Sequence, residues 1–132
     1  MMKMNQEAMN FIAKWNDAMA LDYEARMDTM EDMYLDYREN GKAIDYHLLD
    51  ALAKSIHRGN DMMVITELGG AYDAERYSEF FKEYGIEKFA FCTKSTAAVQ
   101  DIISFMHFGW EVSGYAIMNT IHGEQIDAII FH

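Results

Sequence analysis

Residues 85–131 constrain the fold more tightly than any other stretch, because they read in one pass as strand, helix, strand, strand. Residues 86–92 are a short apolar run rich in aromatics. Ser95 or Thr96 is placed to cap a following helix, Val99, Ile102, Ile103 and Met106 share one of its faces, and Gly109 closes it. Residues 110–119 and 125–131 then alternate as two strands joined by the turn Thr120, Ile121, His122, Gly123. In the first of these, Trp110, Val112, Gly114, Ala116 and Met118 are expected on one face. Glu111, Ser113, Tyr115, Ile117 and Asn119 are expected on the other, more solvated one. In the second, Ile126, Ala128 and Ile130 alternate against Asp127 and Ile129.

The upstream half supplies what such a sheet needs to pack against. Residues 5–39 predict a long helix with a kink or break, because Ala8, Ile12, Trp15, Met19, Tyr23, Met27, Met30, Tyr34 and Tyr37 recur at three- and four-residue steps. Asn40 and Gly41 stop it. Asp45 is placed to cap a second helix with Ile44 and Leu49 as a hydrophobic staple, and Leu48, Leu52 and Ile56 line its apolar face before Gly59 ends it. The short connection favours an antiparallel helical hairpin. Residues 62–66 predict a strand, Gly69 and Gly70 break it, and Asp73 caps a helix through Tyr77, Phe80, Phe81 and Tyr84. The expected class is therefore α/β or α+β: an N-terminal helical hairpin followed by β-α-β-α-β-β with a small mixed sheet. One domain is expected over 1–132, with the hairpin in 1–59 and the α/β module in 60–132; two subdomains are the alternative.

Charge narrows the function. The chain carries 22 acidic against 11 basic side chains, a net charge of −11. A duplex binder must neutralise phosphates with clustered Lys or Arg, and none occurs after Lys94, so direct nucleic-acid binding is not expected. The same field attracts a basic protein partner, although solubility alone also accounts for it. No apolar run approaches the roughly 18–20 residues that span a bilayer, and residues 1–7 lack a signal peptide's apolar core, so a cytoplasmic protein without membrane contact is expected. The lone Cys92 excludes an intramolecular disulfide.

Candidate chemistry is sparse. Cys92 ends a strand just before a predicted helix N-terminus, a place for a thiolate or, on the plainer reading, for a buried structural cysteine. His47, His57, His107, His122 and His132 show no metal-ligand spacing, and a composite of Cys92, His107 and His122 is the one alternative. No metal is expected. The opposite side of the first helix carries Asp17, Glu24, Asp28, Glu31, Asp32, Asp36 and Glu39, interrupted by Lys14, Arg26 and Arg38. This is either a solvated face or a row that imitates a phosphate backbone, since carboxylates one turn apart stand about 5–6 Å from each other. The Met- and Tyr-rich side of the same helix is a candidate surface for homo-oligomerisation.

Lys88, Phe89, Ala90, Phe91 and Cys92, the helix after them, then residues 109–115 and 127–131, resemble the C-terminal half of the GNAT acyltransferase family. The resemblance implies acyl-CoA as cofactor, with Gly69 and Ala71 in the pyrophosphate loop. Thr66 and Glu67 depart from that loop's pattern, and Phe105 replaces the tyrosine that often serves the family as general acid. The same stretch is similar to small acidic proteins of bacterial mobile elements, which implies an inhibitor of host nucleases of the anti-CRISPR or antirestriction type. The reading that results is a non-catalytic interaction protein that presents the seven carboxylates to a basic, nucleic-acid-binding partner. The alternative is a degenerate acyl-CoA-binding protein or acyltransferase.

Overall fold

The computed structural model describes residues 3–69, 72–94 and 97–132. Among them the order is α1 (Gln6–Met19), α2 (Tyr23–Glu39), α3 (Ala43–His57), β1 (Met63–Ile65), α4 (Ala74–Tyr84), β2 (Phe89–Cys92), α5 (Ala98–His107), β3 (Val112–Asn119) and β4 (Gln125–Phe131). The class is α+β, with the N-terminal helices followed by a mixed sheet of order β1-β2-β4-β3. β1 and β2 are parallel, and β4 runs antiparallel to both β2 and β3.

Capping decides where the N-terminal helices begin and end. The Asn5 side chain accepts from the Ala8 N–H at 2.9 Å, and the Asp22 side chain accepts from the Ala25 N–H at 2.9 Å. The helix expected over 5–39 is therefore two helices, because an aspartate in extended conformation at 22 starts a new one. The break also redistributes the apolar stripe. Phe11, Trp15 and Ala18 join Ala8 in the core, whereas Tyr23 and Met27 are exposed and Met30, Tyr34 and Tyr37 pack at its margin. α3 starts two residues before Asp45, without a side-chain cap, and Asp45 instead accepts the Tyr84 hydroxyl at 3.0 Å. The cap expected at Asp45 is corrected in favour of a bond between α3 and α4.

α4 forms as its sequence requires. Asp73 accepts from the Arg76 N–H at 2.9 Å, Tyr77, Phe80, Phe81 and Tyr84 are buried, and Gly85 closes the helix at φ 71°. The chain start docks on that end: the Asn5 N–H donates to the Tyr84 carbonyl at 2.7 Å, and its Nδ2 to the Glu83 carbonyl at 2.9 Å.

One face of the sheet presents Met63, Ile65, Phe89, Phe91 and Phe131 to the helices. α5 rests on it through Phe105, which is fully buried against Phe89, Phe91 and Phe131. The largest ring sets the orientation of α5, so Val99, Ile103 and Met106, expected to face inward with Ile102, are exposed, and only Ile102 is half-buried. Ser95 and Thr96, the expected caps, lie outside the described residues.

A register shift between Val112 and Gly114 corrects the expected alternation of β3. Val112 lies opposite Phe131, and Trp110 packs on Phe81 and Phe89 on the helical side, while Gly114, Ala116 and Met118 lie opposite Ile130, Ala128 and Ile126 on the other. That second face buries Met62, Val64, Ala90, Cys92, Met118, Ile126 and Ala128 with no helical residue among them. Asn60 explains how. Its Nδ2 donates to the Ser55 carbonyl at 2.9 Å and the Asn119 carbonyl at 2.7 Å, and its Oδ1 accepts from the Asn119 N–H at 2.9 Å. Arg58 Nε donates to the Ile121 carbonyl at 3.0 Å nearby. The loop entering β1 is thus tied to the end of β3, so the two outer strands converge there and their side chains close over Ala90 and Ala128. Along the free edge of β1, the Val64 N–H is taken by Ser55 Oγ of α3 at 3.2 Å.

Asn60→Ala removes the three side-chain bonds of Asn60 and leaves half-buried main-chain groups at Asn119 without those partners. It is expected to cost about 2–4 kcal/mol, seen in urea unfolding as a lower midpoint at unchanged slope.

Candidate functional site

Six of the seven carboxylates singled out from the sequence lie on α2, and Asp17 lies on α1 beyond the break at 20–22. At 100° per residue, Glu24, Asp28, Glu31, Asp32, Asp36 and Glu39 occupy an arc of roughly 140°. All seven are exposed. Among the described residues none of them is in an ion pair; the lysines and arginines that do pair meet Glu87, Glu83, Asp50 and Glu79. The row therefore stands outside ion pairs among the described residues, with the exposed Leu35 set into it.

Asp32 and Asp36 also form one wall of a crevice of about 990 Å³ between α1 and α2. The facing wall holds Glu7, Asn10 and Lys14, the floor Phe11, Met33 and Tyr37. Glu7 was not singled out from the sequence, since only the fold of α1 against α2 brings it opposite the row. The Tyr37 hydroxyl lies 3.4 Å from Glu7 Oε1. Burial, then the Glu7 carboxylate, push its pKa well above the ordinary tyrosine value, so Tyr37 stays a neutral donor.

Lys42 also lines the crevice; its Nζ meets Glu83 Oε1 at 3.0 Å, and that hydrogen bond holds the Lys42 pKa above its usual value. Burial raises the Asp45 pKa; the bond from Tyr84 opposes this, and the neighbouring Glu83 carboxylate adds to it. Tyr84 is pushed above the ordinary range by burial and then by Asp45. Burial pushes Tyr77 up to about 12. These shifts keep the tyrosines protonated, and the Tyr84–Asp45 hydrogen bond ties α4 to α3.

The other candidates are dispersed. Cys92 is buried, with the Lys94 N–H 3.4 Å from its sulfur. Among the described residues no three His, Cys, Asp or Glu side chains converge on a metal position, and His107 and His122 are both exposed. Gly69 is exposed and its carbonyl accepts from the Tyr72 N–H at 3.1 Å; Gly70 and Ala71 lie outside the described residues. Phe105, where the acyltransferase resemblance would put a general acid, is a core ring. Among the described residues no helix is long and apolar enough to cross a membrane.

Fold and charge define an α+β protein with a bare acidic surface on its second helix. The chain belongs to the DUF7698 family, a domain of unknown function, which matches residues 47–127. No curated protein and no solved structure matches the chain. The matched segment runs from within α3 into β4, so α1 and the acidic row on α2 lie outside it.

The Asp45 shift has a definite sign. Its folded pKa lies above the unfolded value of about 3.9, so the native state holds the proton more tightly. That stabilisation is complete below the unfolded value and is lost as pH rises through the folded one. Asp45→Asn keeps an acceptor for Tyr84 and cannot ionise. Its melting temperature relative to the natural protein is expected to rise between acid and neutral pH, measured by thermal unfolding across that range.

Proposed function

We propose that this protein is a non-catalytic interaction protein that binds a basic protein surface through the α2 carboxylates. The observation that carries this is the set of six exposed carboxylates on one arc of α2, none in an ion pair among the described residues. Like charges held together on a helix repel, and a cationic partner relieves that repulsion while the −11 field speeds its approach. Carboxylates repeating about 6 Å apart suit lysines and arginines arranged for a phosphate backbone, so the partner class is a nucleic-acid-binding protein. Occupying that surface would make this chain an inhibitor by mimicry, of the kind that blocks a host nuclease. Acyl-CoA binding has weaker support, since the exposed Glu67 precedes Gly69 and Phe105 carries no acidic proton.

A lysine-rich linker histone is a suitable probe. Neutralising Glu24, Asp28, Glu31 and Asp32 to their amides should weaken binding at low salt by about tenfold or more. The same charge removed at Glu67, Glu75, Glu124 and Asp127 should weaken it much less. Equal losses in the two variants would show that net charge alone binds the probe, and duplex DNA that fails to compete would remove the mimicry.

A further inference from the structure

We infer that β3 is a self-pairing edge, and that two copies of this chain associate through it to form one continuous sheet. β3 pairs only with β4 and is the outer strand of the sheet. In an antiparallel ladder, successive residues turn their N–H and C=O alternately toward the neighbouring strand and away from it. Asn119 sets the phase, because its N–H and C=O are both taken by the Asn60 side chain on the outer side. The next residue, Thr120, donates its N–H inward to the Glu124 carbonyl at 2.8 Å. Counting back in twos, Ile117 and Tyr115 also aim their main-chain groups outward. Among the described residues nothing takes them.

Their side chains point to the same occupant. Tyr115 and Ile117 are 81% and 68% exposed and lie opposite Ile129 and Asp127, on the side of the sheet that carries α5. On α5 the stripe of Val99, Ile103 and Met106 is 71%, 59% and 53% exposed. Soluble proteins defend such an edge with lysine, proline or a bulge. β3 has no Lys or Pro, and its register shift at Val112 and Gly114 guards one end only.

Charge selects a second copy. From Val112 to Gly123 there is no Asp, Glu, Lys or Arg, in a chain of net charge −11. A basic partner gains nothing from this strip, whereas two acidic copies can meet here without opposing carboxylates. A dyad through Ala116 sets Tyr115 of one copy opposite Ile117 of the other, so that each outward N–H meets an outward C=O. The same dyad makes two aromatic-to-β-branched cross-strand pairs on the α5 side. Tyr115, Ile117 and the strand backbone form the centre of this contact, and the exposed α5 stripe lies on the same side of the sheet.

The test is sedimentation velocity of the full chain over a wide concentration range at low and high salt. A dimer is expected that tightens as salt screens the repulsion between copies, opposite in sign to the salt response of a basic partner. Ile117→Lys should raise its dissociation constant by about tenfold or more, with unchanged circular dichroism because the position is exposed. In the natural protein, the amides of Tyr115 and Ile117 should exchange more slowly in the dimer than in the monomer. A chain that stays monomeric at every concentration and salt overturns the inference. A dimer that Ile117→Lys leaves intact, or one in which those two amides gain no protection, does so as well.

Discussion

Phe89 is held between four other aromatic rings, and the helices find their places on the sheet through that contact. Phe81 of α4 stacks on it at 4.6 Å, Phe105 of α5 meets it at 4.8 Å, Trp110 at 4.7 Å, and Phe131 of β4 at 5.1 Å. Buried rings contribute large apolar areas together with preferred angles, so a cluster of five fixes orientation as well as position. The rotation of α5, with its aliphatic stripe turned outward, follows from seating Phe105 among these rings.

The other constraint is polar. Asn60 joins the entry of β1 to the exit of β3, and so curls a four-stranded sheet until its second face is buried with no helical residue in its cluster among the described residues. The same side chain occupies the outward groups at Asn119, while those at Ile117 and Tyr115 meet nothing among the described residues. One buried amide therefore closes the sheet at one end and defines where its open edge begins.

Against this scaffold the acidic row stands apart. α2 has no fully buried residue and packs by its half-buried methionines and tyrosines, so its carboxylates stay exposed and, among the described residues, outside ion pairs. The sequence shows the row, since acidic residues at helical spacing are visible in the chain itself. It does not show Glu7 facing Asp32 and Asp36 across a crevice, because that depends on α1 folding back on α2 at a break that only the Asp22 cap fixes.

The sequence by itself determined the elements that local chemistry dictates. Asp73 and Gly85 bound α4, the apolar run before Cys92 makes β2, and the order of strands and helices gives an α+β class. Tertiary structure decided what local patterns leave degenerate. Two faces of α5 are apolar, and ring packing at Phe105 chose between them. Asp45 satisfies the rule for a cap, yet the Tyr84 hydroxyl claims it from 39 residues away. The alternation that opened in residues 110–119 changes face at a bulge, because Trp110 is drawn to Phe81 and Phe89 while Met118 closes the opposite side. Such choices rest on contacts between residues distant in the chain, and no periodicity within one element can encode them.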